Sequence, residues 1–135
     1  MKTIKIIFIL FAIISTLLIS CDKDDNKDTT APTITINSPT NGIEGLMSGD
    51  TVNISISITD NDDVHESNAV LTHTHMGATT EVWTMGGHQH GNEVMIEGEY
   101  IIAVTAMHND FVLEVTANDH SGNEATTSAS FHVHM

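Results

Sequence analysis

Apolar and polar residues alternate in short runs through most of the chain beyond residue 31. The clearest run is 51–59, where one face carries only branched aliphatic side chains, those of Val52, Ile54, Ile56 and Ile58. Alternation with a period of two is typical of a strand that buries one face. Apolar repeats near 3.6 residues do not occur in this part of the sequence, so we predict strands and no helices.

Turn-forming Gly, Asn, Asp and Pro residues separate the alternating runs. The runs are 33–37, 51–59, 69–76, 81–85, 93–96, 100–105, 111–117 and 125–134. Short strands at such spacing, with turn chemistry between them, indicate an antiparallel sandwich. We therefore predict an all-β antiparallel β-sandwich of about seven strands, formed by a single domain at 31–135. The pattern Val-Thr-Ala-x-Asp-x-x-Gly-Asn at 115–123 resembles a motif of bacterial immunoglobulin-like domains, and this resemblance implies that the sandwich is immunoglobulin-like.

The N-terminus has the pattern of a secretion signal. A short basic segment at 1–5 precedes an apolar run at 6–18, which is shorter than the roughly 20 residues of a membrane-spanning helix. The sequence Leu18-Ile-Ser-Cys21 that follows resembles the lipobox of bacterial lipoproteins. This resemblance implies a cleaved lipoprotein signal peptide at 1–20 and a lipid anchor on Cys21. Because Cys21 is the only cysteine, the chain cannot form an internal disulfide.

Residues 21–30 are polar and charged, so we predict a disordered acidic tether behind the lipidated cysteine. The acidic residues and lysine directly after Cys21 resemble the surface-export signal of Bacteroidota lipoproteins. That resemblance implies an outer membrane lipoprotein displayed on the cell surface, with a periplasm-facing position as the alternative.

Cationic side chains other than histidine end at Lys27, and the formal net charge of the chain is −14. A domain without Lys or Arg cannot neutralise phosphates, which excludes nucleic acid as a partner. The same negative field favours cations. Together with the nine histidines, it raises the expectation of a metal site.

The histidines include three His-x-His pairs, at 73/75, 88/90 and 132/134. A strand places residues i and i+2 on one face, about 6.5 Å apart along the chain. Two imidazoles so placed can close on one ion at the metal–nitrogen distance of about 2.0–2.1 Å. The pairs therefore predict a transition-metal site.

Two of the pairs are predicted to meet at one end of the sandwich. In an immunoglobulin-like sheet, the strands at 69–76 and 125–134 flank the strand at 111–117 and run parallel, about 10 Å apart. The turn before residue 111 opens at the same end. The predicted metal ligands of this strand cluster are His73, His75, His108, His132, His134 and Asp110. If Leu71 is a core residue, however, strand parity turns His73 and His75 inward and the cluster breaks.

The third pair, His88 and His90, lies among glycines and is assigned to a loop that contributes further metal ligands. A full-length strand before it would carry both histidines to the opposite end, near His65 and His120. A long irregular loop would instead fold them over the strand cluster. The residues alone leave both arrangements open.

Imidazole ligands suit zinc and copper, and the thioethers of Met76 and Met135, each next to a histidine, suit copper(I). Hard oxygen ligands for calcium are available in two turns predicted to share an end of the sandwich. The candidate calcium ligands are Asp60, Asp62, Asp63 and Asp119. Ordinary turn chemistry is the alternative role of these aspartates.

Several motifs resemble known bacterial domains. Pro32-Thr-Ile-Thr-Ile, Gly49-Asp-Thr-Val-Asn-Ile and the Val-Thr-Ala-x-Asp-x-x-Gly-Asn pattern at 115–123 are similar to motifs of bacterial immunoglobulin-like domains. With the lipobox, acidic tether and histidine pairs, the chain resembles a Bacteroidota family of single-domain immunoglobulin-like lipoproteins whose domain is of unknown function. The resemblance implies the fold and says little of activity, because this fold supports many functions.

The function that we expect is metal binding: a lipid-anchored envelope protein that captures zinc or copper and passes it to an outer-membrane transporter or another surface protein. The alternative is an adhesion or accessory module that binds a protein or glycan, with incidental histidines. Residues 131–134, Phe-His-Val-His, resemble the copper-ligand strand of copper-zinc superoxide dismutase. The disulfide of that family is impossible here and its other ligand pattern is absent, so we predict that the protein is not an enzyme.

Overall fold

The computed structural model describes residues 27–135, which form eight β-strands. The strands are β1 (Thr33–Ser38), β2 (Leu46–Met47), β3 (Thr51–Thr59), β4 (Val64–His75), β5 (Ala78–His88), β6 (Glu93–Ile101), β7 (Asn109–Asp119) and β8 (Glu124–His134). No helix within residues 27–135 is long and apolar enough to cross a membrane. The predicted signal peptide and the lipidation site at Cys21 lie outside the described residues.

The strands form two sheets with the topology of an immunoglobulin-like sandwich. One sheet has the order β1-β3-β6, and the other has the order β2-β8-β7-β4-β5. β7 pairs antiparallel with both β4 and β8, so these two neighbours run parallel to each other. The predicted all-β sandwich, with β7 between the two strands that carry the 73/75 and 132/134 histidine pairs, is confirmed.

The core lies between the two sheets and follows the alternation seen in the sequence. The buried positions of β3 are the four predicted aliphatic residues, Val52, Ile54, Ile56 and Ile58. They face Phe111 and Leu113 of β7, and the ring of Phe111 stacks on that of Phe131 of β8 with centroids 5.1 Å apart. Burial of these large apolar side chains is the main force that holds the sheets together.

β5 is longer than the run at 81–85 that the sequence predicted. It continues through Gly86 and Gly87 to His88, paired with β4 along its length. Glycine is needed at Gly86 because a Cβ atom there would overlap the carbonyl oxygen of Ser67 on β4. The glycines that suggested a loop therefore permit close approach of two paired strands.

β6 also differs from its prediction, because the runs 93–96 and 100–105 are not separate strands. A single strand passes through Gly98 to Ile101, and the chain then continues without strand pairing, although Ile102 and Val104 are buried. At Gly98 the indole of Trp83 from β5 crosses to the other sheet and covers the backbone. Trp83 thus closes the side of the sandwich where β5 and β6 lie next to each other.

Replacing Gly98 with alanine should destabilise the domain by roughly 1–3 kcal/mol, the usual cost of overpacking a tight site. The added Cβ would lie 2.7 Å from Cζ2 of Trp83, so the indole must move. Urea denaturation followed by circular dichroism measures the change. In a Trp83→Val background the same substitution should cost much less, and an equal cost in both backgrounds would contradict this packing role for Trp83.

Candidate metal centre

Four histidines meet at the end of the sandwich where the β3–β4, β5–β6 and β7–β8 connections lie. His65 lies near the start of β4, His88 ends β5, His90 follows it, and His120 comes directly after β7. The ring centroids form a closed circuit: His65 lies 4.3 Å from His88, which lies 4.7 Å from His90, and His120 lies 5.7 Å from His90 and 4.1 Å from His65. His88 and His90 therefore lie at the end near His65 and His120, as expected if the strand before them is full-length.

Backbone pairing holds the loop of His90 against the start of β4. The N–H of Gln89 donates to the carbonyl of His65 over 2.8 Å, and the N–H of Val64 donates to the carbonyl of Gly91 over 3.0 Å. These bonds continue the β4–β5 ladder beyond the last residue of β5. The loop is thus fixed by main-chain contacts, which limits how far its histidine can move.

Asp63 faces the same group of rings. Its Oδ2 atom lies 3.3 Å from Nδ1 of His90 and 3.4 Å from Nδ1 of His120, while the N–H of Gly91 donates to Oδ1. One ligand atom from each of these three side chains lies within 4.8 Å of the other two. Two atoms bound to one ion at about 2.1 Å can be no more than about 4.2 Å apart. A small movement of these side chains toward one another would therefore bring the three ligand atoms within reach of a single ion.

The surroundings shift the pKa values of two of these groups. The backbone N–H of Gly91, followed by the ring of His90, lowers the pKa of the Asp63 carboxyl, which keeps it ionised. Burial, followed by the neighbouring His120 and His88, lowers the pKa of His65 and favours its neutral ring. The Nδ1 atom of His65 is buried and has no hydrogen-bond partner within residues 27–135.

We call Asp63, His65, His88, His90 and His120 the imidazole–carboxylate centre. Its donors are nitrogen and oxygen atoms, a set that suits a borderline divalent ion such as zinc or copper(II). Imidazole binds such an ion only in its neutral form. The lowered pKa of His65 therefore favours the neutral form that a metal ligand needs.

The predicted strand cluster is only partly assembled, because Leu71 is a core residue and His73 faces inward as the parity argument allowed. The ring of His73 stacks on Phe111 at 4.7 Å and its Nε2–H donates to Oδ1 of Asn109 over 2.9 Å. Asn109 is itself buried. His73 is thus occupied by packing and by a polar partner in the sandwich.

The other members of the strand cluster fall into two groups at the expected end. His132 pairs with Asp110 on the outer face of β7 and β8. The rings of His108 and His134 are in contact, with centroids 5.4 Å apart, and His75 hydrogen-bonds to the backbone carbonyl of His108. The predicted common end of β4 and β8 is confirmed, and a single cluster of all six residues is not formed.

The candidate calcium ligands also divide. Oxygen atoms of Asp60 and Asp119 lie within 4.8 Å of each other and of one from Asp28, whereas Asp63 belongs to the imidazole–carboxylate centre. The exposed Asp62 contributes a backbone N–H that donates to Asp60 over 2.8 Å, in an ordinary turn. Calcium binding by these aspartates stays a prediction.

Asp28 was assigned to the tether on composition, yet it contacts the sandwich. Nδ2 of Asn61 donates to its carboxylate over 3.0 Å, and Nδ2 of Asn123 donates to its backbone carbonyl over 3.1 Å. Burial tends to raise the pKa of the neighbouring Asp119, but the side chain and backbone of Asn123 lower it overall. These bonds attach the beginning of the described chain to the turns beside the imidazole–carboxylate centre.

His65, His120 and Asp28 were absent from the predicted site residues. The signal for the two histidines was the length of β5, since full pairing with β4 brings residue 88 beside Glu66. Asp28 carried no such signal, because a contact made by a polar segment outside any strand leaves no periodic pattern.

The fold and these side chains define the class: an immunoglobulin-like β-sandwich that carries histidine groups at both ends of its larger sheet. The chain belongs to the family described as a domain of unknown function, DUF4625, which matches residues 19–134. This confirms the expected membership of a family whose domain is of unknown function. No curated protein matches the sequence.

Two solved structures of animal proteins have a similar arrangement. Murine CRIg has 14% sequence identity and a TM-score of 0.46, with 76% of this chain and 96% of that chain covered. A Niemann-Pick type C2 protein from the Japanese carpenter ant has 11% identity and a TM-score of 0.45, with 76% and 90% covered. Likeness at this level has no bearing on what the present chain binds.

The stability of the metal-free domain should fall as the pH drops through the ordinary histidine value of 6.5. Because the folded state lowers the pKa of His65, the unfolded chain binds more protons in this range, and the contribution of neutral His65 is lost on acidification. Urea denaturation in a chelator, at pH 8 and pH 5.5, measures the effect. A His65→Gln variant should lose less stability between these two pH values than the wild type, and identical losses would contradict the role of His65.

Proposed function

We propose that this protein binds a transition metal, zinc or copper(II), at the imidazole–carboxylate centre, and that it captures or handles that metal at the cell envelope. The observation that carries the proposal is the convergence of ligand atoms from Asp63, His90 and His120 within 4.8 Å of one another. The imidazoles of His65 and His88 lie beside those of His90 and His120 and complete a group of four.

The three elements that supply the ligands support a specific site. Asp63 comes from the β3–β4 turn, His90 from the loop after β5, and His120 from the β7–β8 turn. Ligands that lie far apart in sequence converge only in the folded domain, so metal binding would stabilise the fold. A solvated His-x-His pair on one strand would have no such convergence.

The surrounding charge supports a cation as the ligand. Residues 28–135 contain no Lys or Arg, so within this range imidazole is the only cationic side chain that can pair with Asp63. The ionised Asp63 carboxylate and the neutral His65 ring present lone pairs in place of positive charge. This donor set would attract a divalent cation and repel an anionic substrate.

The N-terminal sequence supports a position at the cell envelope for the domain. We place it on a lipid anchor at Cys21 in the outer membrane, at the cell surface, because the apolar run and lipobox-like residues precede a short acidic segment. A metal-binding domain so anchored would act in binding and delivery to a transporter or another surface protein. Its role is binding and not catalysis.

Isothermal titration of the full chain in detergent with zinc tests the proposal. We expect dissociation constants below about 1 μM, or roughly −8 kcal/mol. A His90→Gln/His120→Gln double variant should lose this binding, because it removes two ligands and leaves the sandwich core intact. Asp63→Asn should weaken binding by about 10–100-fold, whether the carboxylate binds the ion or orients the rings.

The matched control is His132→Gln, which removes an exposed imidazole that also pairs with an aspartate but lies at the other end of the sheet. It should keep the affinity of the wild type. Wild-type binding weaker than about 0.1 mM, or about −5.5 kcal/mol, would refute the proposal. Unchanged binding by the His90/His120 double variant would exclude this centre.

A further inference from the structure

The opposite end of the sandwich brings sulfur and nitrogen ligands together. An open pocket of about 470 Å³ lies between the β4–β5 turn and the segment before β7, and its wall includes His75, Met76, Met107 and His108. His134, at the end of β8, adjoins this pocket through its ring contact with His108. Soft and borderline ligands from three separate elements therefore lie at one place.

Two of these imidazoles are held by the backbone in one orientation. The Nδ1–H of His75 donates to the carbonyl of His108 over 3.1 Å, and the Nδ1–H of His134 donates to the carbonyl of Met107 over 3.3 Å. A neutral ring that donates through Nδ1 keeps its Nε2 lone pair free. Histidines that bind metals are usually oriented by such a bond to their other nitrogen.

The methionines at this end are more exposed than packing explains. Met76 is 93% exposed and Met107 is 70% exposed, although methionine ordinarily fills gaps in a core. Met47 and Met135 are also exposed, and both adjoin His134, the first as its neighbour across the β2–β8 pair and the second as the next residue. Exposed methionines thus lie on the same segments as the oriented imidazoles or on the paired strand β2.

Met76 also occupies an unfavourable backbone position for its side chain. With a φ of 50°, it precedes Gly77 at 80° in the two-residue turn between β4 and β5. Such hairpin turns favour Asn, Asp or Gly at the first central position, and non-glycine residues rarely adopt positive φ. At this position a methionine is neither buried nor in a favourable backbone conformation. A role as a metal ligand accounts for its presence.

We infer that this end of the sandwich is a second metal site, the thioether–imidazole site, which binds copper(I) through Met76, Met107, His75, His108 and His134. Soft thioether ligands select copper(I), and imidazole also accepts copper. Zinc instead takes thiolate, imidazole or carboxylate ligands, so the thioethers distinguish this site from the imidazole–carboxylate centre. The two sites share no residue, and the inference does not depend on the proposed function.

A purely apolar docking surface explains less of this arrangement. It would account for exposed methionine side chains, but not for two imidazoles whose Nδ1 atoms are both bound to carbonyls of the 107–108 segment. Three histidine rings would also weaken an apolar patch. A soft-metal site accounts for both the exposed sulfur atoms and the orientation of the rings.

Competition for copper(I) with the chromogenic chelator bicinchoninate, without oxygen, tests the inference on the full chain in detergent. The wild type should remove one equivalent of copper(I) from the chelator. A Met76→Leu/Met107→Leu variant should bind it at least about tenfold more weakly, since even the loss of a supporting partner costs that much. Leucine keeps a similar side-chain volume, and circular dichroism checks the fold of each variant.

The matched control is Met85→Leu/Met95→Leu, which removes two exposed thioethers outside the pocket and should keep wild-type affinity. The His90→Gln/His120→Gln variant should also keep it, which separates this site from the imidazole–carboxylate centre. Unchanged affinity in the Met76/Met107 variant, or an equal loss in either of the other two variants, would overturn the inference.

Silver(I), a redox-inert probe for copper(I), reports the ligands directly. In a protein labelled at the methionine methyl carbons, it should shift the NMR signals of Met76 and Met107 and leave those of Met85 and Met95 in place. Zinc should leave all four signals in place. Equal shifts of the four methyl signals by silver would contradict a site at this end.

Discussion

The pairing of β4 with β5 on one side and β7 on the other determines where the histidines lie. Along β4, the ten residue steps from His65 to His75 span about 33 Å at roughly 3.3 Å per residue. The β5 register places residue 88 beside the start of β4, and the β7 register places residue 110 beside its end. One residue of slip would invert the faces of a whole strand and separate both groups of ligands.

The lack of Lys and Arg in residues 28–135 determines which side chains pair with the carboxylates. In most domains an ionised carboxylate can form an ion pair with Lys or Arg, but residues 28–135 offer only imidazole as a cationic side chain. The ion pairs within residues 27–135 accordingly join histidine to Asp63 or to Asp110. An imidazole held beside a carboxylate is also the arrangement that orients a metal ligand. The lack of Lys and Arg in residues 28–135 therefore weakens surface ion pairs and leaves the carboxylates available to a bound cation.

The alternating strands were predictable because burial of one face leaves a period of two, as in β3, β7 and β8. Glycines concealed the true extents of β5 and β6, since Gly86 and Gly98 look like turn residues but permit contacts with Ser67 and Trp83. On β8 the buried positions alternate with His132 and His134, which therefore lie on the outer face. On β4 only the burial of Leu71 decided that His73 faces inward. The imidazole–carboxylate centre depended on tertiary approach of three connections, which local pattern does not encode.

The contacts of Asp28 relate the two ends of the sandwich to the proposed lipid anchor. Asp28 is bound to Asn61 and Asn123, in the same turns that adjoin the imidazole–carboxylate centre. From Cys21 to Asp28 the chain can reach at most about 25 Å, at roughly 3.3–3.6 Å per residue. An anchor at Cys21 would therefore keep this centre near the membrane, while the thioether–imidazole site would lie at the far end of β4. A metal arriving from outside would meet the sulfur ligands first, and a partner embedded in the membrane would meet the nitrogen and oxygen ligands.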